Sequence, residues 1–94
     1  MLTTFEAVRA EALFVSSLQS SEAPAAQQVR DAVVTTLRRH GIKGCAAEVA
    51  GEYGDHPESA CARMAWALAT IRRSYPPRQR RNQTAEPAAL TLAS

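Results

Sequence analysis

Large rings are scarce in this chain: two Phe, two Tyr and one Trp among 94 residues. A core with so few aromatics is built from small side chains, each burying little apolar area. Much of the 46% hydrophobic content is alanine, which suits helices but leaves a thin core. A thin core in a chain of one-domain length favours a partner surface or a homodimer. Asn-Gly and Asp-Gly turn signals are missing, and β-branched residues fall at helical spacing, so no strand is predicted. No apolar run approaches the roughly 20 residues of a membrane span. The N-terminus has no basic region followed by an apolar block, so no secretory signal is expected. A soluble, cytoplasmic chain with no membrane partner follows as the expectation. There its two cysteines would be reduced thiols. Lysine occurs once, at Lys43, while arginine and alanine abound. That bias suggests a GC-rich bacterial genome such as an actinobacterium's.

The net charge of +2 is small, but its distribution is uneven. Five basic and eight acidic residues precede Ser59; six arginines and one glutamate follow from there. An acidic body with a basic end can meet a polyanion, although basic tails also serve solubility.

Four amphipathic helices are predicted. The first starts at Thr3 or Thr4 as N-cap, with Glu6 near the helix dipole, and carries Phe5, Val8, Ala12 and Val15 on one face, widened by Phe14 and Leu18. Ser20 to Pro24 breaks it. The second runs from about Pro24 to His40, facing inward with Val29, Ala32, Val33, Thr36, Leu37 and His40. Arg38 and Arg39 suit its negative end, and Gly41 suits a positive-φ cap. Ile42 is expected to plug the core from a short connection ending at Gly44. The third helix, about 44–53, turns Cys45, Ala46, Val49 and Tyr53 inward. Gly54 stops it, and Asp55 with Glu58 forms a capping box for the fourth, about 56–75. That helix carries Ala60, Met64, Ala67, Leu68 and Ile71, with Trp66 on its flank as a core or interface group. Pro76-Pro77 ends it. The fold class expected is all-α: one compact four-helix domain over 1–75, then a flexible basic tail over 76–94.

The stretch from Cys45 to Leu68 resembles the helix-turn-helix superfamily of bacterial repressors and sigma-factor-like domains. Ala50 stands at the small crossing position, Gly54 opens the turn, and Ala60 stands at the second contact. Val49, Tyr53 and Met64 occupy usually apolar positions. Asp55 departs from the pattern, which has an apolar residue there. The resemblance implies that the fourth helix enters a major groove by its N-terminal residues. His56, Ser59, Ala62 and Arg63 would then reach base edges or phosphates, and Arg72, Arg73, Arg78, Arg80 and Arg81 would hold the backbone. The implied function is a small DNA-binding or transcription-regulatory protein, acting as a dimer on double-stranded DNA. Asp55 and Glu58 on the same face, with Glu48 and Glu52 behind, repel phosphate. The alternative is a non-enzymatic adaptor or regulatory module binding a protein. Two features decide between them: whether Arg63, Arg72 and Arg73 share a face with the tail, and whether the acids cap that face.

Catalysis and metal binding have little support. His40, Cys45, His56 and Cys61 are zinc-type ligands, but the spacing His-x4-Cys twice matches no zinc signature; both thiols read more simply as buried and reduced. Cys45 near a helix start could ionise more readily, yet no oxyanion hole or orienting third group accompanies it. No Gly-rich phosphate loop or paired carboxylate cleft is present. No enzyme activity, cofactor, metal or small-molecule substrate is therefore expected.

Overall fold

The computed structural model describes residues 3–76. The described residues are all-helical: α1 (Thr4–Val15), a single 3-10 turn (Ser20–Glu22), α2 (Ala26–Asp55) and α3 (Pro57–Ser74). The tail expected at 76–94 lies outside them apart from Pro76.

Thr3 starts α1 with a reciprocal cap. The Glu6 amide donates to Thr3 Oγ1 at 3.0 Å and the Thr3 amide donates to Glu6 Oε1 at 3.2 Å, satisfying two helix-end donors. Helix α2 begins two residues after Pro24, with the Ala25 amide donating to Gln28 Oε1 at 2.8 Å. Ala23, just before it, takes a left-handed conformation at φ 47°.

The second and third predicted helices form one element. Only Gly41 leaves helical geometry, at φ 75° and ψ 168°, and helix resumes at Ile42 with no connecting loop. The expected positive φ at Gly41 is present, but the 42–44 connection is taken up in helix. Glycine permits one residue to reset the direction of the chain, so no longer linker is required.

The break between α2 and α3 comes later than predicted. Gly54 and Asp55 belong to α2, and the junction is the single residue His56, at φ −140° and ψ 68°. His56 precedes Pro57, and the proline ring clashes with a helical conformation in the residue before it. Glycine merely weakens a helix, whereas this clash actively disfavours its continuation. Asp55 therefore caps nothing, the Asp55–Glu58 box does not form, and Pro57 occupies the first helical position without a side-chain cap before it. A β-carbon at Gly54 would meet nothing within 4 Å. Gly54→Ala is accordingly expected to raise stability by about 0.5–1 kcal/mol, read by thermal or urea unfolding; a loss of stability would place Gly54 back in a strained turn.

The core lies where the end of α1 meets both partner helices. Ala10, Ala12, Leu13, Val29, Val33, Cys45, Ala67 and Ile71 form the main buried cluster, and Phe14, Val49 and Ala60 form a second. Leu13, absent from the predicted face of α1, is fully buried, whereas Phe5 is 72% exposed. The last turn of α1 is enclosed from two sides, so consecutive residues are buried there and a one-face rule under-counts them. His40 and Ala46, predicted inward, are exposed. Ile42, predicted as a plug, is 58% exposed; after the reset at Gly41 the inward positions of α2 are Cys45 and Val49. Thr70 and Ser74 are buried on α3 beside Ile71.

Arginines from both neighbouring helices pack on the C-terminal end of α3. Arg30 of α2 donates through Nη1 to the Ser74 carbonyl, the last of α3, at 3.0 Å. Arg9 of α1 lies 4.0 Å from the Tyr75 ring centroid and 5.7 Å from that of Phe5. Cations at carbonyl ends and over ring faces are both favourable. Burial pushes the Tyr75 phenol up, against the opposing pull of Arg9.

Candidate functional site

The corner where α2 turns into α3 carries the residues expected to read DNA. His56, Ser59 and Ala62 are exposed there. The Ser59 hydroxyl donates back to the His56 carbonyl at 3.3 Å, a local bond that helps hold the first turn of α3. To this extent the outward placement of the predicted site agrees with the structure.

Arg63 is placed otherwise. It was expected to point outward, but its guanidinium lies over the end of α1. Nε donates to the Phe14 carbonyl at 2.8 Å, and Nη2 donates to the carbonyls of Ser16 at 3.0 Å, Leu18 at 2.9 Å and Leu13 at 3.4 Å. The same group lies 4.9 Å from the Trp66 ring centroid and 5.8 Å from that of Phe14. A planar fork with five donors matches a ring of orphan carbonyls, and this is why arginine and not lysine fills the position. Burial works against the charge of this guanidinium, and the carbonyls offset that cost. Trp66 is half-buried beneath it, so the indole serves this contact as well as the main cluster.

The other predicted cations are dispersed. Arg72 is exposed and pairs with Glu6 across to α1, Nε to Oε2 at 3.6 Å. Arg73 donates to Thr70 Oγ1 at 3.2 Å. Arg78, Arg80 and Arg81 lie outside the described residues. Between Arg63 and the Arg72–Arg73 pair there are more than two turns of α3, about 13 Å along the axis, so the three do not form one cationic face.

Acids occupy the space instead. A shallow groove of about 220 Å³ is lined by Phe14, Val15, Glu48, Glu52, Ser59 and Arg63. Asp55 and Glu58, both exposed, stand on either side of the His56 junction. Tyr53 lies beside them, 37% exposed and stacked on Phe14 with ring centroids 6.3 Å apart and planes 17° apart. The corner therefore carries four exposed acids and a half-exposed phenol.

The packing also differs from the helix-turn-helix pattern at named positions. Ala60 is buried as that pattern implies, but Ala50, assigned to the helix crossing, is exposed. The three-residue turn around Gly54 is replaced by the one-residue corner at His56. Val49 keeps its apolar buried role and Met64 is half-buried.

The thiols sit in different settings. Cys45 is buried and Cys61 is exposed. Burial, reinforced by Glu11 and Glu48, pushes the Cys45 thiol up, away from the thiolate that nucleophilic chemistry needs. Among the described residues, no three His, Cys, Asp or Glu side chains gather in a metal-binding group, and no helix is long and apolar enough to cross a membrane.

Phe14 and Val15, placed by the sequence pattern only on the apolar face of the first helix, complete the groove from α1, and Arg9 and Arg30, given no role by that pattern, pack on the C-terminal end of α3. Their roles depend on helix pairings that no local periodicity specifies. No known protein family, curated protein or solved structure matches this chain.

Proposed function

We propose that this chain is a non-enzymatic helical module that binds a protein partner at the α2–α3 corner. The observation that carries the reading is the direction of Arg63. The cation best placed to meet a nucleic acid is committed to the carbonyls of α1. The charged groups that remain exposed at the corner are Glu48, Glu52, Asp55 and Glu58, with Tyr53 37% exposed. A surface of that sign repels phosphate. It complements a partner that presents lysine or arginine around an apolar side chain, with Tyr53 as the anchoring aromatic.

The double-stranded DNA reading makes a different demand. It requires His56, Ser59 and Ala62 to approach phosphates past those acids, and the tail arginines to supply most of the affinity. The two are separated by a titration of the full chain with random duplex DNA at two salt concentrations. Under the protein-binding reading, Ser59→Glu and Ala62→Glu leave any DNA affinity unchanged, because the corner is not in contact. A loss of tenfold or more in either variant would overturn it. The positive arm places a photo-crosslinking residue at Tyr53 in cells of the source organism. One discrete crosslinked protein, lost on joint Glu48→Lys and Glu52→Lys substitution in a still-helical chain, is the expected result. An empty lane in the parent chain counts against a protein partner at this corner.

A further inference from the structure

The break at Gly41 produces a second surface, unconnected with the acidic corner. From Ala32 to Ala47 the chain has no acidic residue, and within that interval it places Arg38, Arg39, His40 and Lys43. All four are exposed, and so is Ile42 between them, at 58%. The other described arginines are engaged within the fold: Arg9 with Tyr75, Arg30 with Ser74, Arg63 with α1, Arg72 with Glu6 and Arg73 with Thr70. Arg38, Arg39 and Lys43 have no hydrogen bond or ion pair to a described residue. The sequence reading gave Arg38 and Arg39 the task of closing a helix end. Neither makes such a bond to a described residue, and both are exposed, so their charge is left to solvent.

An exposed isoleucine within four residues of exposed cations restricts the kind of partner. A phosphodiester backbone offers negative charge but no apolar layer for Ile42. A bilayer interface offers anionic headgroups and hydrocarbon within a few ångströms of each other, and basic residues around an apolar tip bind it through both. Arg39 and His40 also line a depression of about 380 Å³ with Ser16, Ser17, Thr35, Thr36 and the carboxylate of Asp31, so the headgroup contact is assigned to the exposed cations and not to this depression.

We propose that the knuckle at Arg38–Lys43 is a docking site for an anionic lipid surface, with Ile42 entering the interface and the surrounding cations lying at headgroup level. The absence of a membrane-spanning run does not bear on such a contact, because the chain lies on the bilayer and does not cross it. With three permanent cations and one apolar tip, the attachment is weak and reversible.

The test is co-sedimentation of the full chain with vesicles of phosphatidylcholine alone or with about one-third phosphatidylserine. Binding is expected only to the anionic vesicles and is expected to weaken with added salt. Arg38→Gln and Lys43→Gln should each lower the partition coefficient roughly five-fold. Ile42→Ser should lower it by a similar factor while leaving every charge in place. All three positions are exposed, and circular dichroism checks that the helices persist. Equal binding to neutral vesicles, or no binding to either, overturns the proposal. So does undiminished binding by Ile42→Ser, which would assign the attachment to charge alone or to the arginines beyond Pro76. A stronger, Ile42-independent affinity for random duplex DNA would transfer the knuckle to nucleic acid.

Discussion

Replacing Arg63 by methionine is expected to destabilise the fold by about 3 kcal/mol in urea unfolding. Methionine keeps much of the side-chain length and its packing on Trp66 and Phe14, so the loss isolates the hydrogen bonds. In the native chain one guanidinium serves the carbonyls of Phe14, Ser16 and Leu18, with a longer contact to Leu13. Those of Phe14, Ser16 and Leu18 are orphan acceptors at the end of α1 and in the segment that leaves it, whereas Leu13 already accepts from the Ser16 amide and hydroxyl. Each bond to a charged donor contributes on the order of 1.5–3 kcal/mol. Water can reach the open side of the groove and recover part of this, which is why the sum is not expected. Arg63→Lys should restore less than half, because an ammonium cannot reach carbonyls on both sides of a planar fork. The damage should be local first: faster amide exchange from Leu13 to Leu18 before the rest of the core. A change of less than about 0.5 kcal/mol would mean that the guanidinium is effectively a solvated surface group and free to serve a ligand, reopening the DNA reading.

Gly41→Ala is expected to cost about 2 kcal/mol or more. The backbone there, at φ 75° and ψ 168°, lies in a region open almost only to glycine. A β-carbon would meet no atom within 4 Å, so the cost is one of backbone conformation and not of crowding. That makes the prediction separable by chirality. A synthetic chain with D-alanine at 41 should be as stable as the parent, or more stable by up to about 1 kcal/mol, because its unfolded state has fewer conformations. If L-alanine is tolerated, α2 can run straight through this point. The inward positions on either side, Val33 and Cys45, would then fall out of register. The same substitution should also weaken vesicle binding, since the break is what leaves Arg38 to Lys43 exposed together.

Much of the fold was legible one helix at a time. Thr3 and Glu6 announced a cap, and the cap is there. Val29, Val33, Cys45, Val49, Ala60, Ala67 and Ile71 were assigned inward by spacing and are buried. Their agreement is expected, because an apolar stripe at helical period has only one way to leave water. The errors cluster at helix boundaries. Gly54 and Asp55 carried a plausible stop-and-start signal, but the clash made by Pro57 on His56 is the stronger physical constraint, and it placed the corner two residues later. Gly41 was identified as a break. Whether a loop or a second helical run follows a positive-φ glycine depends on what the next segment can bury, and Cys45 with Val49 supplied that.

The candidate site was less legible, and the reason lies in arginine itself. The sequence contains nothing that distinguishes Arg63 from Arg38: each is a long cation on a helix. Only the position of the α1 carbonyls makes one a structural closure, and only their distance leaves the other to solvent. The sequence by itself determined the helical class, most of the inward faces and the uneven charge, because these follow from local propensity and periodicity. The tertiary structure decided which cations face outward, that acids are exposed at the α2–α3 corner, and that Ile42 lies near exposed charges. Those outcomes depend on which helix ends are brought next to which side chains, and that is fixed by packing between segments distant in the chain.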